Sequence, residues 1–397
     1  MFDIADVIRA GKNFDRSIVL KTPLEKNESL CKQHQSNVWI KREDQQIVRS
    51  YKIRAYNFLS SLTSQEAKKV VAASAGNHAQ VALACQKLIK TIFMPLVTPS
   101  QKVRKTQKFG GENIQIELVG DNFSQALTAS QEYCQKHGSI FVHPYDDLRT
   151  IVGQTTVIEI YEQMVDTYID YLLVPIGLIS GISTVFKELS PQTKIIVQSQ
   201  APSMYESIKA KKPITLQKVD SFADVAVSCP KITFEIVSSN SNIDEIIVVP
   251  NGLIAEKMLA TLDDQIILEP AGALTISALS LLETIIDKNV VCVASNFDFE
   301  RLVDVKERAL KFRGLKRYFV VNFPQRPALK EFLNILGPKD DIVLFEYTKK
   351  TIKEKPALVG IETNDPENFD YLLEKMQECK IHFEDITENE IFFNLLV

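Results

Sequence analysis

Short apolar runs that alternate with amphipathic stretches constrain the fold of this chain more than any other feature. "KKVVAAS" precedes "NHAQVALACQKL", "TIFMPLV" precedes "SQKVRKTQKF", "IQIELVG" precedes "NFSQALTASQEYCQKH", and "YLLVPIG" precedes "ISTVFKEL". This is the rhythm of βαβ units packed on a mostly parallel sheet. Its strands are expected to be apolar throughout, because helices cover both faces of such a sheet.

The rhythm changes near residue 315. "RYFVVNFP", "RPALKEFLNIL", "DIVLFEYTKK", "PALVGIET", "NFDYLLEKMQEC" and "IHFEDI" follow one another. Strand, helix, strand, strand, helix, strand is the order of a ferredoxin-like unit. A chain of 397 residues has room for such a unit beside a large core. The division is placed at 315/316, giving an α/β domain over residues 1–315 and a small domain over 316–397.

Charge and composition narrow the class. A formal net charge of −4 with interspersed signs provides no basic stripe for nucleic acid and no polybasic membrane patch. No apolar run has the length of a membrane span, and the start lacks the pattern of a secretory signal, so a cytoplasmic protein is expected. The six cysteines are scattered without a CxxC pair or a histidine at metal-ligand spacing. Buried free thiols are expected, and no metal site.

Four stretches place small or polar residues where a strand gives way to a helix, the position at which open α/β sheets bind ligands. "VRSYKIRAYNF" places Lys52 between an aromatic residue and Ile53. "ASAGNHAQ" sets Ser74, Ala75, Gly76 and Asn77 ahead of a helical pattern whose free N–H groups suit a carboxylate, or are capped by Ser and Asn. "LLVPIGLISGIS" turns at Gly177, and "VVCVASNFDF" brings Ser295 and Asn296 to a strand end. Glu269 in "EPAGALTISAL" is read as a helix N-terminal charge.

Taken together, "SYKIRAYN", "ASAGNHAQ", "LEPAGAL" and "VASNF" resemble the fold-type II pyridoxal-phosphate enzymes, and within them the threonine dehydratases (threonine ammonia-lyases). "KRED", "FMP", "TPSQKV", "SMYES" and "NFPQRPALKEFLN" extend the resemblance over nearly the whole chain, and the tail resembles the ACT-like regulatory domain of the short biosynthetic form. The resemblance implies a tryptophan synthase β-like core of two open, twisted α/β sub-domains and a C-terminal ferredoxin-like, ACT-like domain. It implies pyridoxal 5′-phosphate as cofactor, L-threonine as substrate, 2-oxobutanoate and ammonia as products, isoleucine as allosteric effector and a homotetramer. Lys52 matches the Schiff-base lysine and Asn77 the contact to the ring hydroxyl. Gly177 and Leu178 match the phosphate loop, and Ser295 the partner of the ring nitrogen. Ser74, Ala75, Gly76 and Asn77 match the segment that holds the substrate carboxylate. Arg42, Glu43, Arg54 and His78 are expected to be scaffold.

The chain departs from that family where the family has glycine. The phosphate loop "GGGGL" is reduced to "IGL", and similar gaps follow Arg54, Gln80, Gln154, Asp224 and Pro327. Fourteen glycines in 397 residues is about half the usual share of ~7%. Lost residues remove N–H donors from a phosphate. Two readings are open: an active enzyme whose written sequence lacks glycines, or a degenerate homologue that binds amino acids without catalysis. A serine dehydratase or racemase is a rival within the family.

Overall fold

The computed structural model describes residues 2–62, 69–74, 76–78, 90–199, 202–216, 222, 229–239, 243–295, 301–323, 328–347 and 356–396. Ala75 and Asn296 lie outside the described residues, as does most of the helical pattern after Asn77. The chain divides into two compact units, Met1–Asn251 with Thr261–Glu300, and Gly252–Ala260 with Arg301–Val397.

The first unit holds two sheets. One contains β1 (Leu24–Lys26), β2 (Asn37–Arg42), β7 (Tyr171–Pro175), β8 (Lys194–Ser199), β9 (Glu245–Val248) and β10 (Asn289–Ala294) in the order β1-β2-β10-β7-β8-β9. All its neighbours are parallel except β1, which runs antiparallel to β2 at one edge. The other contains β3 (Val70–Ala73), β4 (Lys90–Met94), β5 (Ile114–Leu118) and β6 (Ile140–Phe141), parallel throughout in the order β5-β4-β3-β6. Central strands β3, β4 and β7 are buried at every position, whereas edge strands β5 and β9 are partly exposed. Burial on both faces thus follows the continuous apolar runs in the sequence.

Packing order decides which loops meet. β7 and β10 are far apart in sequence but adjacent and parallel. Their carboxyl ends therefore stand side by side, one strand spacing apart. The first leads into the short 3₁₀ turn Ile176–Leu178 and the helix Ile179–Leu189; the second leads into Ser295. Leu178, Ile179, Ile182, Val185 and Phe186 bury that helix against Leu172, Val174, Val291 and Val293.

The second unit carries β11 (Lys316–Asn322), β12 (Asp340–Glu346), β13 (Pro356–Thr363) and β14 (His382–Asp385), all antiparallel, in the order β12-β13-β11-β14. Helices Ala328–Ile335 and Glu367–Glu378 complete the βαββαβ order read from the sequence. Phe319, Val321, Phe332, Val359, Ile361, Phe369, Leu372 and Met376 form its core. By compactness the second unit takes in Gly252–Ala260 and the chain from Arg301 onward, including the helix Leu302–Phe312. Its Glu307 accepts from Lys316 Nζ at 2.6 Å and from the Tyr318 hydroxyl at 2.7 Å. The five described cysteines are free, but only Cys229 and Cys292 are buried; Cys379 is exposed, unlike the sequence expectation. Among the described residues no helix is long and apolar enough to cross a membrane.

Candidate active site

Lys52 lies in the 3₁₀ turn Tyr51–Ala55, capped by Ser50, whose hydroxyl accepts from the Lys52 amide at 3.3 Å. The side chain is half-buried, and its amine donates to the Pro144 carbonyl at 3.2 Å. The amine also stands 5.2 Å from the Tyr51 ring centre and 5.0 Å from that of Tyr145. Loss of water around the amine pushes its pKa down to about 8, against the opposing pull of the Glu269 carboxylate. A lysine so placed has a sizeable neutral, nucleophilic fraction near neutral pH. The nearby imidazoles add no charge: burial and the Lys52 cation hold His78 near about 3, and burial holds His143 near about 4.

The turn that carries Lys52 is anchored from below. Arg54, two residues on, is fully buried and bonds Glu43 Oε1 at 2.6 Å and Glu159 Oε2 at 2.9 Å. Lys41 adds a second cation, 2.8 Å from Glu159. Two cations and two carboxylates balance, which is the condition under which buried charge is tolerated. Burial lowers the Lys41 pKa despite both carboxylates, whereas the same carboxylates raise that of Arg54; Arg54 is the firmer member of the pair. Arg42 instead pairs with Asp44 and Glu25 nearer the surface.

At the end of β3, the buried Ser74 hydroxyl accepts from the Gly76 amide at 2.9 Å. Gly76 has φ +145°, and a Cβ there would stand 2.2 Å from Cδ of Lys102, so only glycine fits. Asn77 Nδ2 donates to Glu269 Oε1 at 2.7 Å, and Lys102 Nζ lies 4.0 Å from Glu269 Oε2. Glu269 stands at the N-cap position of the helix Pro270–Ala278, with its carboxylate turned to these partners instead of capping the helix. Two turns of chemistry are joined by that helix, since Gly272 packs so closely on the Ser295 backbone that a Cβ would overlap its carbonyl.

Ser295 is 1% exposed, and its hydroxyl has no hydrogen-bond partner among the described residues. A buried hydroxyl without a partner costs stability, and a ligand at this strand end would complete it. At the end of β7, a Cβ on Gly177 would stand 2.6 Å from the Tyr51 hydroxyl and 3.4 Å from Lys52 Nζ. Leu178 is buried in the core, leaving only its backbone to face the turn. Of the sequence-derived residues, Lys52 and Gly177 are in direct proximity, and Ser295 follows the strand adjacent to that of Gly177. Asn77 is tied to this region through Glu269. Tyr51, Tyr145, Gln154 and Glu159 were not singled out by the sequence reading. None has a local pattern that announces its partners, although Tyr51 adjoins Lys52.

These residues fit pyridoxal phosphate. The amine of Lys52 suits its aldehyde, and the neutral, unpartnered Ser295 hydroxyl suits its ring nitrogen. The phosphate end is sparer: of the N–H groups at the turn, that of Ile179 goes to the Ile176 carbonyl and that of Gly181 to Gln154 Oε1 at 2.9 Å.

The pyridoxal-phosphate dependent enzyme family matches residues 16–296, and the C-terminal regulatory domain of threonine dehydratase matches residues 307–396. The biosynthetic L-threonine dehydratase of Halalkalibacterium halodurans is 43% identical over 414 aligned positions, covering 99% of each chain. That of Bacillus subtilis is 41% identical over 416 positions, covering 100% of this chain and 98% of the relative. Both alignments exceed the 397 residues of this chain, so the relatives carry residues that it lacks. Among solved structures, the processed form of threonine deaminase isoform 2 from Solanum lycopersicum is 34% identical with TM-score 0.70, covering 78% of this chain and 94% of that one. Maize serine racemase is 26% identical with TM-score 0.68, covering 78% and 98%.

Proposed function

Because this chain belongs to the threonine dehydratase family of pyridoxal-phosphate-dependent enzymes, we propose that it converts L-threonine to 2-oxobutanoate and ammonia, with pyridoxal 5′-phosphate carried on Lys52. The observation that carries this reading is the half-buried Lys52 amine, its pKa brought down to about 8, set against the Gly177 turn. When bound, the cofactor supplies an electron sink for the substrate's α-carbon. Lys52 carries the group and, once free, takes the α-proton. Ser295 faces the ring nitrogen as a neutral hydroxyl, which favours β-elimination over transamination. Ser74, Gly76 and Asn77 hold the carboxylate of threonine, with Ala75 assigned to the same segment from sequence. Asn77, held by Glu269, contacts the ring hydroxyl, and Gly177 and Leu178 face the phosphate through their backbone.

Catalysis is assigned to the first unit and regulation to the second. Isoleucine is the effector we assign to the tail, and the working assembly is a homotetramer in the cytoplasm, at the first step of isoleucine formation. The full-length matches, tail included, favour threonine dehydration over a serine-directed or non-catalytic homologue. Borohydride reduction of the cofactor-loaded protein, followed by peptide mass mapping, tests the assignment. The pyridoxyl adduct belongs on Lys52, and an adduct on another lysine overturns it.

A further inference from the structure

The phosphate end of the site shows a shortage of donors and a hydroxyl placed to relieve it. Gly177 is the one glycine of its turn, and the neighbouring helix start is already drawn together by Gln154. Its Nε2 donates to the Gly177 carbonyl at 3.1 Å, and its Oε1 takes the Gly181 amide at 2.9 Å. The Gly181 amide is thereby engaged by Gln154 and the Ile179 amide by the Ile176 carbonyl, so neither of these N–H groups is open to a phosphate dianion.

Tyr51 precedes Lys52 in the same capped turn and is only 9% exposed. Its hydroxyl lies 2.6 Å from the point where a Cβ on Gly177 would stand, on the side that also faces Lys52 Nζ. No hydrogen bond among the described residues ends on that hydroxyl. The phenol has a donor to give, and no described residue accepts it.

We propose that Tyr51 is a further cofactor-binding residue, donating its hydroxyl hydrogen to the phosphate of pyridoxal phosphate in place of a backbone amide. The inference rests on the cofactor reading above. Burial and the Glu269 and Glu43 carboxylates raise the pKa of the hydroxyl, so it stays a donor throughout the working pH range. A phenylalanine would keep the ring beside the Lys52 amine and lose only the O–H.

The test compares pyridoxal 5′-phosphate with pyridoxal, which lacks the phosphate, on cofactor-stripped full-length protein by absorbance titration. Wild type and Tyr51→Phe are measured alongside their thermal unfolding. A hydrogen bond to a charged acceptor predicts that Tyr51→Phe weakens pyridoxal 5′-phosphate about tenfold or more. Pyridoxal affinity should not change. Equal loss for both ligands makes Tyr51 a packing residue and overturns the proposal, as does no loss for either. Failure of wild type to bind pyridoxal 5′-phosphate would instead overturn the cofactor reading itself.

Discussion

Arg54 and Glu159 stand 105 positions apart in the chain and meet through two hydrogen bonds, Nη1 to Oε1 at 3.0 Å and Nη2 to Oε2 at 2.9 Å. Both are buried, and Glu43 closes the other side of the guanidinium. Removing one partner of a buried pair strands the other charge, at about 3–5 kcal/mol. Glu159→Ala should therefore cost that much in urea unfolding. Glu162→Ala, which breaks an exposed pair with Lys21, should cost at most about 1 kcal/mol. Equal costs would show that the buried network does not anchor the turn carrying Lys52.

The same carboxylate predicts an acid limit. Burial pushes Glu159 up, but Arg54 and Lys41 outweigh it and bring its pKa down to about 2 from an ordinary 4.5. A group with a depressed folded pKa adds stability that is complete above the unfolded value and is lost as pH falls through the folded one. Its contribution should fade between pH 4.5 and about 2. Glu159→Gln should flatten the stability profile in that window, and a profile of unchanged shape would contradict the assignment.

Lys52 predicts the pH dependence of cofactor capture. With its pKa lowered to about 8 by desolvation, the amine is neutral to about one part in ten at pH 7. The initial rate of adduct formation on Lys52, trapped by cyanoborohydride and read by peptide mapping, should rise with a midpoint near 8. A midpoint near that of an exposed lysine would mean that the amine is not desolvated.

Ser295→Ala separates stability from function. The hydroxyl is buried with no partner among the described residues, so its removal from the cofactor-free chain should be neutral or slightly stabilising. Threonine turnover by the loaded enzyme should fall. Clear destabilisation of the cofactor-free chain would show that Ser295 serves the fold and does not wait for a ligand.

Isoleucine should lower threonine turnover by the full chain, and amide exchange should slow within residues 316–396 when isoleucine is present. An effector acts only through different affinities for two states, so inhibition and local protection must appear together. Protection confined to the first unit would move the effector to the substrate site.

Much of this protein was legible before any coordinates. Unbroken apolar runs such as "VVAA" and "YLLVP" require a sheet covered on both faces, and β3 and β7 are buried at every residue. The βαββαβ order of the tail follows from local periodicity alone. Lys52, Asn77, Gly177 and Ser295 are proposed as site residues because each sits in a short motif that resembles the family's, and a short motif is readable without the fold.

Other relationships were decided only by tertiary structure. The helix Leu302–Phe312 reads locally like the helices of the core, yet Glu307 binds it to β11. Asn77 and Glu269 are 192 positions apart, and Arg54 and Glu159 are 105 apart. Sequence periodicity reports which face of an element is apolar, but not which strand lies beside which. Only the β10-β7 adjacency sets Ser295 beside the Gly177 turn, and only the folded turn brings the Tyr51 hydroxyl to it. Side-chain partnership across such separations is fixed by packing of the whole sheet, which no short window of sequence encodes.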